Sequence, residues 1–314
     1  MKIWRQIRKH PFIRTFRTKK VSYVKMKFPV LHIGQFPSDL QEMFYANDFQ
    51  THTKDHHNVI SRAHKHDFYL TVMFTKGIGI HEVDFVEYDI KPGSTFMLNP
   101  GRVHHWKFSP DTEGYILFHT RNFYEMRFGE KSLDLFPFFF SLQNSFYLHL
   151  KNSDFLSSEK LFQQILEENR IGGMMKYQKI SSMLDLLYVE LTRTYLKQAP
   201  AFSFDVSKYQ DRLKKLEELI DKHFRDSKSA AFYAIKMNMS TKHLNRITQA
   251  GLAKTTTELI MERVFLEAQR LLSYSAMSIA EVADNLGYDD ISYFSRLFKK
   301  HLKISPSDFS KRYR

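Results

Sequence analysis

The chain has no cysteine among its 314 residues. Disulfide bonds, thiolate metal ligands and cysteine nucleophiles are therefore excluded, and the composition fits a reducing cell interior. Long apolar runs are also missing, because the Phe-rich stretch from Leu133 to Phe140 is interrupted by Asp134 and Pro137 and is too short for a membrane span. The first residues lack the apolar core of a secretion signal. We therefore expect a soluble, cytoplasmic protein with no membrane association.

Acidic residues are absent from positions 1–25, which contain nine lysines and arginines. Residues 26–206 contain 18 basic and 21 acidic side chains, and residues 207–314 contain 20 and 13. The net charge of +13 therefore lies at the two ends of the chain. Lysine and arginine bind nucleic acid by displacing counterions from its phosphates. This distribution favours a mildly acidic sensor joined to a polyanion-binding domain.

The segment from Ser278 to Lys300 has the pattern of a helix-turn-helix. Ser278 and Glu281 form a capping box at the start of an amphipathic helix, and Gly287 marks the turn that ends it. Asp289 or Asp290 then caps a second helix. The side chains predicted to face inward from this second helix are Phe294, Leu297 and Phe298.

The opposite face of that second helix mixes small, apolar and basic side chains suited to base edges and phosphates. The residues on this face are Ile291, Ser292, Ser295, Arg296 and Lys299. The alternative is an ordinary helical hairpin whose basic face is only solvated. Four segments that follow one another along the chain distinguish the two interpretations. They are Ile279-Ala-Glu-Val-Ala, Leu286-Gly-Tyr, Ser292-Tyr-Phe-Ser-Arg-Leu-Phe-Lys-Lys and Ser305-Pro-Ser-Asp-Phe. This order resembles the signature of the AraC/XylS family of transcription regulators.

A second, looser helix-turn-helix pattern lies upstream, with a first helix within 230–239 and a second helix capped by Ser240. Between the two patterns, residues 257–272 have helical periodicity over about 24 Å, compared with about 34 Å between successive major grooves. The resemblance implies that two units joined by this helix enter neighbouring grooves of an asymmetric site. It also implies the base-facing residues, which are Lys242, Asn245 and Arg246 in the first unit and Ile291, Ser292, Ser295 and Arg296 in the second.

The N-terminal half contains short β-rich runs separated by Gly, Pro and Asn, which predict a small antiparallel barrel or sandwich. The segments His64-Lys-His66 and Asn99-Pro-Gly-Arg-Val-His104 resemble the two motifs of the cupin barrel. The resemblance implies a sensor that holds a small-molecule effector inside the barrel. The effector-binding residues that it implies are His64, His66, Tyr69 and His104.

The same histidines match three of the four ligand positions of metal-binding cupins. Leu70 stands where such cupins have a glutamate, so the site would lack its anionic ligand. We therefore expect no metal, no cofactor and no catalytic residue in this domain.

Two helices are predicted after the barrel, at 158–170 and 174–198. The second carries an apolar stripe that either packs on its own barrel or forms a dimer contact. The residues predicted for the dimer contact are Leu184, Leu187, Tyr188 and Leu191.

The predicted fold class is α+β and multidomain. The expected segments are a disordered basic arm (1–25), a cupin-like sensor barrel (26–130), a helical part of the sensor (131–199), a linker (200–207) and an all-α DNA-binding domain (208–314) with helix-turn-helix units near 230–250 and 278–301. The resemblance implies a transcription regulator that binds double-stranded DNA as a homodimer, responds to an effector and contacts RNA polymerase. The alternatives are a cupin-type metal-dependent enzyme with secondary DNA binding and a nonspecific nucleoid-associated protein.

Overall fold

The structure is a computed structural model that describes residues 29–36, 43–56, 62–128, 133–141, 144–198 and 209–313. The predicted basic arm and the predicted linker 200–207 lie outside the described residues. The strands are β1 (Val30–Leu31), β2 (Phe44–Asp48), β3 (Lys65–His66), β4 (Tyr69–Lys76), β5 (Gly79–Val83), β6 (Val86–Ile90), β7 (Ser94–Leu98), β8 (His104–Phe108), β9 (Glu113–His119) and β10 (Tyr147–His149).

The helices of the N-terminal part are α1 (Phe49–Asp55), α2 (Arg121–Phe128), α3 (Pro137–Phe140), α4 (Asn152–Ile171) and α5 (Lys176–Gln198). Those of the C-terminal part are α6 (Gln210–His223), α7 (Ala230–Lys236), α8 (Thr241–Leu252), α9 (Thr256–Tyr274), α10 (Ile279–Asn285), α11 (Ile291–Leu302) and α12 (Pro306–Tyr313). A sheet-rich N-terminal domain and a helical C-terminal domain are therefore confirmed.

The described strands form three sheets and do not close into the predicted barrel. A five-stranded sheet has the order β10-β7-β4-β9-β2, a three-stranded sheet has the order β6-β5-β8, and β1 pairs with β3. The two larger sheets share one core, in which Phe68, Leu70 and Phe118 from one side meet Val83 and Trp106 from the other. Large rings fill the space between the sheets.

Strand β4 is buried on both of its faces. Leu70, Val72 and Phe74 point into the core between the sheets. Tyr69 and Met73 point to the other side, into the core that helices α4 and α5 cover. Because successive side chains of a strand alternate between faces, this central strand joins the two layers of the domain.

Helix α5 packs its apolar stripe against its own chain. The four residues predicted as a dimer contact, Leu184, Leu187, Tyr188 and Leu191, each have 0% exposure and belong to the same core as Met73. The dimer prediction is therefore wrong for these side chains, because they are buried against the sheet of their own chain and cannot contact a partner. The packing alternative is the one observed.

The C-terminal domain is built around α9, whose 19 residues extend about 28 Å. Helices α7 and α8 form one helix-turn-helix, and α10 and α11 form the other. The predicted capping box of Ser278 and Glu281 is present, and the Asp290 side chain accepts hydrogen bonds from the first turn of α11. One core with members from α6 to α12 holds both units on the central helix.

Gly287 makes the turn between α10 and α11 with a φ of +74°. A Cβ atom there would lie 2.3 Å from the carbonyl oxygen of Arg225. We expect Gly287→Ala to lower the free energy of unfolding by at least about 1–3 kcal/mol, because it adds backbone strain to that clash. Urea unfolding measures the change. Gly173→Ala is the control, since its Cβ would meet nothing within 4 Å, and equal stabilities of the two variants would contradict the prediction.

Candidate DNA interface and ligand-binding domain

Helix α11 separates a buried face from an exposed one, as the sequence predicts. Phe294 and Phe298 are fully buried and fix the helix to the domain core. The exposed residues at its start and along its outer face are Ile291, Ser292, Tyr293, Arg296 and Lys299, while Ser295 is half-buried. Tyr293 is an exposed aromatic that the sequence analysis did not assign, and its ring lies 6.0 Å from the Arg296 guanidinium.

Helix α8 is arranged in the same way in the first unit. Leu244 and Ile247 are fully buried, while Lys242 and Arg246 are exposed. His243 lies between two guanidinium groups, 3.3 Å from Arg246 and 3.3 Å from Arg212 of α6. Arg212 and His243 were missed by the sequence analysis, because their contact joins positions 31 residues apart.

Asn245, a predicted base-facing residue, also makes a contact within the domain. It is half-buried, and its Oδ1 accepts a hydrogen bond of 3.0 Å from the backbone N–H of Thr256. This bond ties α8 to the first residue of α9. Bidentate pairing of this amide with adenine would use the second lone pair of the same oxygen, and the predicted base contact of Asn245 stays a prediction.

Ion pairs brace the central helix against its neighbours. Glu267 on α9 is 5% exposed and accepts hydrogen bonds from Arg225 (2.5 Å) and Arg263 (3.1 Å). Arg263 also contacts Asp221 on α6 at 2.5 Å, and Arg225 reaches Asn285 on α10. Charge-assisted hydrogen bonds of this kind, partly shielded from water, are among the stronger ones in proteins. These contacts tie α6 and α10 to the central helix.

In the N-terminal domain, the structure brings together His64, His66 and His104 and excludes Tyr69. The three histidines are 1–2% exposed, and ligand atoms from each lie within 4.8 Å of one another. Tyr69 points to the opposite face of its sheet, where its hydroxyl accepts a hydrogen bond of 2.6 Å from Arg121. The prediction that Tyr69 belongs with these histidines is therefore wrong.

A separate buried histidine, His119, lies in the core beneath α5. Its Nδ1–H donates to the Thr120 carbonyl (2.9 Å), so its Nε2 accepts from the Tyr188 hydroxyl (2.7 Å). Burial lowers the pKa of His119 to about 4. The ring is therefore neutral in the folded protein at neutral pH.

This neutral histidine predicts acid sensitivity. Between pH about 6.5 and about 4, His119 is protonated in the unfolded chain but neutral in the folded chain. The free energy of unfolding therefore falls as the pH falls through this window. The expected loss from this residue is about 3 kcal/mol at the lower end. Urea unfolding across the window should show a shallower pH dependence for His119→Gln than for the wild type. Identical slopes would contradict the assignment.

The two domains contact each other through the turn between β5 and β6. The Asp84 carboxylate is buried between Arg270 of α9 (2.7 Å) and Arg102 of its own domain (3.2 Å). Burial acts to raise the pKa of Asp84, but the charges of Arg270 and Arg102 together outweigh it and lower the pKa. Phe85 follows with a φ of +67°. Its ring lies within 6 Å of the aromatic rings of Tyr274, Phe309 and Tyr313.

A second contact joins the segment before β10 to the first helix-turn-helix. Phe140 of α3 packs with Leu213 and with Ile247, on the inner face of α8. Lys214 donates a hydrogen bond of 2.6 Å to Asp134. Each helix-turn-helix, or the helix that supports it, therefore touches the N-terminal domain.

Comparison with known proteins agrees with this architecture. A family described as an AraC-like ligand binding domain matches residues 47–121, and a helix-turn-helix domain family matches residues 233–312. The arabinose operon regulatory protein of Escherichia coli K12 is 25% identical over 247 residues, which cover 77% of this chain and 80% of that protein. The transcriptional activator RhaS of Escherichia coli O81 is 23% identical over 252 residues, which cover 78% and 86%.

Among solved structures, unsaturated fatty acid-bound ToxT from Vibrio cholerae aligns over 85% of this chain and 95% of ToxT, with a TM-score of 0.40 and 15% identity. The two family matches and the similarity to the arabinose operon regulatory protein support one class of protein, DNA-binding regulators that have a ligand-binding N-terminal domain. Together these matches support a transcription regulator of the AraC/XylS family. The predicted family and the predicted regulatory function are confirmed. Within the described ranges, no helix combines the length and apolarity that crossing a bilayer requires.

Proposed function

We propose that the chain reads an asymmetric DNA site by placing α8 and α11 in adjacent major grooves. Two exposed polar faces, one on α8 and one on α11, carry this proposal. Fully buried side chains of each of these helices fix it to the core around α9. The domains that we assign to this function are those predicted from the sequence, with the sensor in 26–199 and the DNA-binding domain in 208–314.

The exposed side chains divide into base readers and phosphate binders. Arg246 and Arg296 suit bidentate pairing with guanine, and Ile291 suits packing on a thymine methyl group. Lys242, Asn245, Ser292 and Ser295 complete the base-facing set. Lys299 lies on the exposed side of α11 in its last turn and is assigned to phosphate, which adds affinity without sequence preference.

Regulation acts through the contacts between the domains. A ligand of the N-terminal domain that binds the docked and undocked arrangements with different affinities shifts their populations, and with them the affinity for DNA. The contacts of Asp84, Phe85 and Phe140 supply the arrangement that such a ligand would bias. In this account the chain is not an enzyme.

Assembly into a homodimer is part of the proposal, through a surface other than the predicted one. Exposed apolar side chains lie on the outer side of α4 and α5 and at the turn between them, namely Leu156, Ile171, Met174 and Leu186. Contact with RNA polymerase by the bound dimer is the proposed output, and the cytoplasm is the proposed location.

Footprinting at about 150 mM salt tests the proposal, because nonspecific binding weakens steeply as salt rises. We expect discrete protection of two successive major-groove segments on one face of the DNA. Uniform protection that fades with salt would instead indicate a nonspecific nucleoid-type protein.

A further inference from the structure

Four histidines meet where the two larger sheets of the N-terminal domain face each other. His64 and His66 come from the chain around β3, His81 from β5 and His104 from β8, and a backbone bridge pairs His64 with His104. All four are at most 2% exposed. The sequence analysis did not single out His81, which comes from a strand outside the two histidine motifs.

The surroundings of two of these rings allow a lone pair to face the cluster. His64 uses Nδ1–H to donate to the Arg62 carbonyl at 2.8 Å, which makes its Nε2 an acceptor. His104 Nδ1 lies 2.9 Å from His81 Nε2, and in the tautomer that donates Nδ1–H to His81, the His104 Nε2 beside His66 carries a lone pair. Histidines that bind metals characteristically fix their second nitrogen in this way, to a carbonyl or to another polar group.

The contact between His66 and His104 is too short for an ordinary hydrogen bond. Their Nε2 atoms are 2.5 Å apart, whereas N–H donors lie about 2.7–3.2 Å from their acceptors. An ion between the two nitrogens would take the place of this contact.

We propose that His64, His66 and His104 form a three-imidazole site for a divalent transition-metal ion, with His81 as the positioning residue for His104. Bonds of about 2.0–2.1 Å at tetrahedral angles would place the three Nε2 atoms about 3.3 Å apart, so the ion would separate His66 from His104. The imidazole donors select zinc, copper, nickel or iron over magnesium and calcium. Leu70 leaves a position open for water or an exogenous anion.

The site lies beside the contact between the domains. His104 follows Val103, whose backbone N–H donates to the Asp84 carboxylate at 3.2 Å and whose carbonyl accepts from the Asp84 N–H at 2.8 Å. In the strand ladder, Val83 pairs with His104. Drawing His104 toward an ion would therefore move the strand that holds the Asp84 turn. This regulatory consequence rests on the proposed function, whereas metal binding itself does not.

Titration of the full-length, chelator-treated protein with Co²⁺, followed by visible absorption and then by displacement with Zn²⁺, tests the site. We expect one Co²⁺ per chain with the intense visible bands of a four-coordinate site. His64→Gln and His104→Gln should each weaken binding at least about 100-fold, whereas His81→Gln should weaken it about 10- to 100-fold and keep the band shape.

His105→Gln is the matched control, since His105 is the next residue on β8, lies 4.0 Å from Glu82 and is absent from the cluster. It should bind Co²⁺ as the wild type does, and circular dichroism of each apo variant reports whether it folds. Absence of the bands in the wild type, or equal binding by wild type and a folded His64→Gln protein, would overturn the proposal. Because no DNA is present, this result is independent of the footprinting result.

Discussion

Replacing Arg296 with alanine is expected to weaken binding to the preferred DNA site by about 1–3 kcal/mol, or roughly 5- to 150-fold, with a much smaller effect on random DNA. The reason is that Arg296 is exposed on the outer face of α11, where its planar guanidinium can pair with guanine through two hydrogen bonds. Fluorescence anisotropy with the selected site and with a scrambled duplex of equal length measures both affinities.

Lys303→Ala is the control for charge. Lys303 follows α11 as its C-cap, and its Nζ donates to the Lys300 carbonyl, so it lies beyond the base-facing surface. Its loss should weaken both duplexes about equally and reduce the salt dependence by about one phosphate contact. If Arg296→Ala also weakens both duplexes equally, its role is phosphate binding and our assignment is wrong.

Replacing Arg270 with alanine is expected to separate the two domains. The change leaves the buried Asp84 carboxylate with one cation instead of two, and breaking a buried ion pair of this kind costs about 3–5 kcal/mol. Opening the contact hydrates the carboxylate and withdraws Phe85 from its aromatic neighbours. We expect a larger radius of gyration by small-angle X-ray scattering and a lower temperature of unfolding.

Lys76→Ala is the matched control for this change. Lys76 pairs with Glu113 at 3.0 Å within the sensor domain, but both side chains are about half exposed, and such surface pairs contribute about 0–1 kcal/mol. It should leave the radius of gyration unchanged. If Arg270→Ala behaves like Lys76→Ala, the Asp84 contact does not hold the domains together.

The second helix-turn-helix could be predicted from the sequence because its determinants are local. The capping box of Ser278 and Glu281, the turn at Gly287 and the cap at Asp290 each involve residues at most a few positions apart. The outward direction of Arg246 and Arg296 follows from the same helical period. By contrast, the contact between Asn245 and Thr256 depends on how two helices meet, and no local pattern encodes it.

The sensor domain was harder to predict because its central strand is buried on both sides. Both faces of β4 carry apolar residues, so the strand lacks the alternation of polar and apolar side chains that distinguishes its two faces. The sequence therefore did not show that Tyr69 lies on the face opposite to the histidines. The stripe on α5 indicated that Leu184 and Leu187 are buried but not which surface covers them. The contact of Arg270 with Asp84 joins residues 186 positions apart, and it is visible only in the folded chain.

Selection of bound sequences from a pool of random duplexes, with the wild type and with Arg246→Ala and Arg296→Ala, tests the central claim most directly. We predict an asymmetric motif with two halves about 10–10.5 base pairs apart. Arg246→Ala should lose the sequence preference in one half, and Arg296→Ala should lose it in the other. Wild-type protein that selects no motif, or two variants that lose the same bases, would contradict recognition by two helices in adjacent grooves.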